Sequence, residues 1–298
     1  MNKKGNHPTI YYIAGAGRSG STLLDITIGN LSNHHSLGEL IFFVENGLIK
    51  NEYCSCGQHV RSCSFWNEVA IKWEAKRILP IDVYQKTQKE LLRNKNTIKN
   101  LFYSFFPTVL QRSYYLDQAT LYQTLFKESG NPVLIDSSKN AQYILVLRRL
   151  PVKFKILHLT RSFSGVLNST KKEFKKDPSQ GLERDMHPQS FQYSLAIWLT
   201  DNLLTWLFAL GKPYQRIRYE ELIDGPEVTI AKIGVLESDE VNLLINRGPL
   251  LAPHLVAGNK MRMQNEIYIH SSRTIEKKSE LNSWLNYFSN LIDLIFYW

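Results

Sequence analysis

No apolar run in this chain of 298 residues approaches the about 20 residues that a membrane-crossing helix needs, so no transmembrane segment is expected. The N-terminus, MNKKGNHPTIYY, is basic but has no apolar core of the kind a secretory signal carries, and a cytoplasmic location is the expectation. The C-terminal LIDLIFYW (291–298) is apolar but too short to span, and reads as a last helix closing the core. There is no internal repeat and no low-complexity tract, which excludes solenoid architectures. Cysteine is scarce, with three in all, so a small disulfide-stapled scaffold is excluded too.

What is present is a composition 43% hydrophobic, enough at this length for a sizeable core and for one domain over residues 1–298. Thirty-six Lys and Arg against 27 Asp and Glu give a net charge of +9. That balance suits an anionic ligand, a nucleic acid or an acidic membrane surface alike. The three cysteines lie together in CSCGQHVRSC, as Cys54, Cys56 and Cys63 with His59 among them. Four soft ligands within ten residues fit a structural zinc site, and equally a folded loop of buried or reversibly paired thiols.

Strand-like runs at 9–14, 132–136, 154–160 and 214–219 alternate with helical patterns at 20–32, 82–105, 112–129, 140–149, 162–173 and 188–210, and Pro226 opens a further helix. Strands separated by helices predict an α/β fold with a central parallel sheet flanked by helices. Residues 82–129 carry no strand signal and are expected as a helical insertion over one end of the sheet, a place for acceptor specificity. Residues 171–189 mix charges with Pro and Gly and read as a solvated surface loop, with a lid as the alternative.

The informative stretch is YYIAGAGRSGSTLLDITIGN (11–30): an apolar strand, a glycine-rich turn and a helix whose N-terminus favours an anion. Gly15, Gly17 and Gly20 spell a dinucleotide fingerprint, and Glu39 stands near the distance of about 20 residues at which that fold places its ribose carboxylate. SLGELIFFVEN, however, puts Glu39 at a helix start and not at the end of a second strand. Gly15-x-x-x-x-Gly20-Ser21-Thr22 is also a Walker A loop, but Ser21 stands where the phosphate-binding lysine belongs, which disfavours a nucleotide kinase.

The segment GAGRSGSTLL (15–24) resembles the 5′-phosphosulfate loop of sulfotransferases that use 3′-phosphoadenosine 5′-phosphosulfate. LHLTRSFSGVLNST (157–170) is similar to that family's 3′-phosphate motif, RYEELIDGPEVTIAKIGVL (218–236) to its strand and Pro-initiated helix, and HLVAGNKMR (254–262) to its late basic loop. LGEL and the CSCG…CSFW pair resemble the bacterial carbohydrate and small-molecule branch. The likeness runs in order from Tyr11 to the C-terminus, residues 82–129 excepted.

The resemblance implies a P-loop NTPase-like topology and a donor site made by Gly17, Arg18, Ser19, Gly20, Ser21 and Thr22, by Arg161 and Ser169 for the 3′-phosphate, and by Gly258, Asn259, Lys260 and Arg262. It implies Glu39 as general base, with Lys139 and Arg18 stabilising the transferring group; were Glu39 not the base, His35 or His187 would be the next residues to test. The implied partners are the sulfonucleotide and a hydroxyl-bearing acceptor, whether carbohydrate, lipid-linked or small alcohol, with no nucleic acid. A sulfuryl group carries less charge than a phosphoryl group, so amides and cations are expected to suffice without a metal. Independently of the resemblance, ligands of open α/β sheets bind beyond the carboxyl ends of the strands, where Arg18, Lys139 and Arg161 all fall. A nucleotide kinase with a degenerate Walker loop and a non-catalytic nucleotide or polyanion binder are the alternatives.

Overall fold

The computed structural model describes residues 7–182, 184–234, 248–269 and 283–296. Five strands, β1 (Thr9–Ala14), β2 (His34–Ser36), β3 (Val133–Lys139), β4 (Lys153–Thr160) and β5 (Tyr214–Arg218), pair in parallel in the order β2-β3-β1-β4-β5. The central parallel sheet between helices is the fold class expected. Alternation along β1 explains why helices cover both faces: Ile10, Tyr12 and Ala14 enter one core and Ile13 the other. Strand order separates this sheet from the dinucleotide fold, which sets its second strand beside the first. Here β3 intervenes between them.

One face carries α1 (Ser21–Gly29), α9 (Tyr219–Asp224) and α10 (Pro226–Lys232), which place Leu24, Ile28, Leu222 and Ile230 against Ile13, Leu157 and Ile217. The other carries α2 (Ser64–Glu74), α3 (Ile81–Leu91), α5 (Val109–Ser129) and α6 (Ala141–Leu147) around Trp66, Trp73, Tyr84 and Tyr122. The segment 82–129 therefore packs on a face of the sheet through α5, and also reaches its carboxyl end, where the Leu92 carbonyl accepts from Asn140 (3.0 Å) just past β3. The single helix expected at 82–105 is two, α3 and α4 (Thr97–Phe105). Between them Asn96 turns back to donate to the Glu90 carbonyl (2.9 Å), the local competition that ends helices at Asn. The α5 helix starts earlier than 112, because Thr108 and Gln111 form a reciprocal capping box.

Two further differences bear on the site. The short β2 was not expected and ends three residues before Glu39, while Glu39 stands at the helix start expected, as N-cap of a 3-10 turn, Leu40–Phe42. The β3 strand runs past 136, so Lys139 closes the strand itself. Asp136, Ser137 and Ser138 are buried strand residues; Asn140 caps α6, accepting from the Tyr143 amide (3.2 Å).

The remaining helices are α7 (Phe163–Thr170), α8 (Phe191–Ala209) and α11 (Ser283–Phe296). The C-terminal helix closes a small cluster by packing Leu285 and Ile292 near Phe163 and Trp198, while Trp284, Tyr287 and Leu294 stay exposed. Tyr297 and Trp298 lie outside the described residues. Among the described residues no helix is long and apolar enough to cross a membrane.

Candidate active site

Three strand ends each deliver one cation to a common cavity of ≈ 550 Å³. Beyond β1 the chain turns at Gly15, where a Cβ would meet the Leu159 carbonyl at 2.3 Å, and at Gly20, where it would meet the Tyr219 ring at 2.4 Å; both have positive φ. Gly17 differs. Its φ is not positive and nothing lies within 4 Å of an added Cβ, so the fold leaves open space at that residue of the cavity wall. Arg18 takes the left-handed conformation (φ 68). The α1 helix then starts with no side-chain cap and no acidic residue in its first turn, leaving its amides and the Ser21 and Thr22 hydroxyls for an anion.

Lys139, at the end of β3, is the second cation and is also left-handed (φ 66). Its ammonium pairs with Glu39. Arg161, at the end of β4, is the third; its guanidinium donates to the Arg18 carbonyl (3.0 Å) and stacks 4.4 Å from the Tyr219 ring centre. Burial, and then the neighbouring Arg161 charge, push the Arg18 guanidinium below its ordinary pKa. Among the described residues neither cation is ion-paired with a carboxylate, and two such neighbouring cations suit an anion. Ser169, in the last turn of α7, lines the same cavity.

Glu39 is fixed by its backbone. Its amide donates to the Val256 carbonyl (2.9 Å), and Gly38 before it has φ 75 and would drive a Cβ to 2.4 Å from that same carbonyl. The Gly38 amide donates to Asp25 (3.1 Å), and the Ser137 hydroxyl donates to the same carboxylate oxygen (2.6 Å). Asp25, on α1, thus ties the Glu39 turn to β3. Burial raises its carboxyl to about 7, against the stabilising bonds from Ser137, Ser36 and Gly38. On the other side, the Asn259 amide donates to the Thr22 hydroxyl (3.2 Å) and Gly258 lies against Thr22 and Glu39. Lys260 reaches over the Phe174 ring (5.1 Å), which Arg18 also faces (6.0 Å).

Of the residues singled out in the sequence, the cavity brings together Gly17, Arg18, Gly20, Ser21, Thr22, Glu39, Lys139, Arg161, Ser169, Gly258, Asn259 and Lys260. Ser19 and Arg262 do not line it. Ser19 is buried behind the loop, and Arg262 is wholly buried, with its guanidinium beneath the turn at Gly181. The two histidines considered as alternative bases are also elsewhere. His35 packs on Phe65 (4.7 Å), and His187 is exposed beside Glu173 (3.5 Å). No residue of 82–129 lines the cavity, although Lys89 of that segment pairs with Glu45 on its wall (3.0 Å).

Segment 171–189 is more than a solvated connection. Phe174 pairs with Met186 and Asp177 with Leu182, and Phe174, Leu182, Arg184 and Met186 wall the cavity. The sequence reading missed Phe174, Tyr219 and Asp25. Phe174, an aromatic amid lysines, was a signal in reach; the other two act through packing that no local spacing encodes. The carboxylates on the cavity wall are Glu39 and Glu45, among the described residues, and Glu45 is held by Lys50 (3.3 Å) and Lys89 (3.0 Å).

No family model and no curated protein matches the chain. Three solved structures are similar to it at low identity. The sulfotransferase domain from the curacin biosynthetic pathway is 17% identical, with 96% of this chain and 98% of that one covered at a TM-score of 0.45. The sulfotransferase domain from the Synechococcus PCC 7002 olefin synthase is 19% identical, with 97% and 91% covered at 0.39. A sulfotransferase from Mycobacterium tuberculosis is 13% identical, with 80% and 70% covered at 0.41. At these identities and scores the likeness says nothing of the residues in the cavity.

Proposed function

We propose that the chain transfers a sulfuryl group from 3′-phosphoadenosine 5′-phosphosulfate to an acceptor hydroxyl. The observation that carries this reading is the division of one cavity into two anion-seeking turns and a separate carboxylate–lysine pair. The turn at Arg18–Thr22 and the one at Arg161, with Ser169 on the helix beyond it, suit the two phosphate groups of a 3′,5′-bisphosphate. The pair, Glu39 and Lys139, suits the chemistry between donor and acceptor.

In the reaction the acceptor oxygen attacks sulfur in line, and the bond from sulfur to the 5′-phosphate oxygen breaks. The leaving adenosine 3′,5′-bisphosphate keeps that electron pair. Glu39 takes the acceptor proton, a role open to a carboxylate in hydrogen-bond reach of the hydroxyl. Lys139 and Arg18 offset the negative charge that grows on the bridging oxygen, and the open amides of α1 do the same at the sulfuryl and phosphate oxygens. Positioning and fixed charge carry the step. A metal is not part of the proposed chemistry, and the cavity carboxylates are already engaged by lysines.

The test has two stages. Adenosine 3′,5′-bisphosphate should raise the melting temperature more than ATP or NAD at equal concentration, because a ligand bound only by the native state stabilises it. Equal or greater stabilisation by ATP would turn the assignment toward a kinase. Transfer of radiolabelled sulfate from the donor to a panel of hydroxyl acceptors then separates an enzyme from a silent binder.

A further inference from the structure

The cysteine loop and the late basic loop meet in space. Cys54, Cys56, Cys63 and His254 bring one ligand atom each to within 4.8 Å of one another, although His254 lies 191 residues beyond Cys63. His59, the histidine that sequence spacing offered, is turned away: its Nδ1 meets the Asn51 carbonyl (2.6 Å) and its ring stacks on Tyr53 (4.1 Å).

The three distances among Cys54, Cys63 and His254 are close to those of a metal polyhedron, and Cys56 lies within 4.8 Å of each. Zinc at about 2.3 Å from sulfur and about 2.0–2.1 Å from nitrogen makes tetrahedral edges of about 3.8 Å between sulfurs and about 3.5 Å between sulfur and nitrogen. The Sγ atoms of Cys54 and Cys63 are 3.8 Å apart, and the His254 Nδ1 is 3.3 Å from the Cys63 sulfur and 3.9 Å from that of Cys54. We propose that these four residues hold one structural zinc ion.

The surroundings are built to present the ligands. Gly57, with φ 83, turns the chain so that its amide returns to the Cys54 carbonyl (3.0 Å), and the same reversal sets Cys56 beside Cys54. Cys63 stands at the N-cap of α2, an end that favours the thiolate which metal binding requires. The Trp66 indole donates to the His254 carbonyl (2.9 Å), and Phe65 stacks on the His254 ring (5.5 Å). Ser55 and Leu255 exchange two bonds, the Ser55 amide to the Leu255 carbonyl (3.1 Å) and the Leu255 amide to the Ser55 hydroxyl (2.6 Å). Four protein ligands leave no open position, so the ion is structural and takes no part in turnover. Three sulfurs and one imidazole also favour zinc over the hard, oxygen-seeking cations.

The ion would fasten the strap that shapes the cavity. Two residues past His254, Val256 accepts the Glu39 amide, and three further on Asn259 reaches Thr22. None of the four ligands lines the cavity, so the staple is separate from the chemistry proposed there.

Metal analysis of protein prepared without chelator or a metal-affinity step tests the site. About one zinc per chain is expected, with all three thiols titrating after denaturation. Cys63→Ser and His254→Ala should each lose at least the about ten-fold in retained zinc that disturbing a ligand's support already causes, while His59→Ala keeps it. The native chain supplies a readout that needs no variant. Cobalt(II) exchanged for zinc should give thiolate charge-transfer bands and the strong visible bands of a tetrahedral site, and an organomercurial should release zinc in step with thiol modification. The proposal is overturned by a zinc-reconstituted, reduced chain that retains less than about one-tenth of an equivalent. A cobalt spectrum without thiolate bands, or a disulfide between Cys54 and Cys63 in the freshly prepared protein, overturns it equally.

Discussion

The two ends of the cavity treat charge in opposite ways. At one end Arg18 and Arg161 are neighbours, joined through the Arg18 carbonyl, and among the described residues neither is ion-paired with a carboxylate. At the other, Lys139 is neutralised by Glu39, itself only 8% exposed. Both Arg18 and Lys139 are held in the left-handed conformation at a strand end. The same backbone device thus serves a place that wants an anion and a place already in balance. The first is suited to affinity and the second to a step in which a proton leaves and charge moves. Substitutions at the two ends should therefore separate binding from turnover.

The largest effect is expected at the paired end. Lys139→Ala removes the charge proposed to offset the leaving oxygen, and turnover should fall by about 100–1,000-fold, the scale of losing one electrostatic stabiliser. Steady-state sulfuryl transfer measures it, with bisphosphate affinity as the control. At the cationic end, Arg161→Ala should weaken the bisphosphate by about 1.5–3 kcal/mol, the scale of a hydrogen bond to a charged group. Calorimetric titration checks that loss. A drop in turnover with unchanged affinity would erase the contrast between the ends.

Beneath the paired end, Asp25 gives a pH signature. Its carboxyl is raised from 3.8 to about 7 by burial, so the native state holds a proton that the unfolded chain releases. The stability this group contributes is complete below about pH 4 and is lost as pH rises through about 7. Asp25→Asn keeps an acceptor for Ser137 and Gly38 and places its amide where the other carboxylate oxygen has no partner. Relative to the native chain, the variant should gain on the order of 1–3 kcal/mol between pH 5 and pH 7.5, read from urea midpoints. A constant difference across that range would exclude a protonated Asp25.

The smallest effect sharpens the phosphate loop. Gly17→Ala meets open space at an ordinary backbone angle, so stability should change by no more than about 0.5 kcal/mol while the added methyl crowds the bound donor. Urea midpoints and bisphosphate titration on the same preparation distinguish the two. A large loss of stability would make Gly17 a requirement of the fold, like Gly15 and Gly20.

Much of this site is legible locally. The strand, turn and helix of residues 11–30 announce themselves by apolar pattern and glycine spacing, and cations just past strand ends follow from the parallel sheet. What escapes is set by distant packing. The end of β3 is hidden because its last residues, Asp136, Ser137, Ser138 and Lys139, are polar; the strand continues only because Tyr122, Asp25 and Glu39 satisfy them. Three residues of β2 are too few to display a period. Arg262 reads as a basic loop residue but is buried under Gly181. The partner of the cysteines sits in another loop, which no spacing within CSCGQHVRSC can reveal.

The account depends most on Glu39 acting in the chemical step and not in holding the donor. Glu39→Gln keeps the side chain's shape and removes its basicity, and one preparation should be measured for both sulfuryl transfer and bisphosphate affinity. Turnover should fall by about 100-fold or more while affinity stays within about two-fold of native. Near-native transfer by the variant, or an equal loss of bisphosphate affinity, would contradict it.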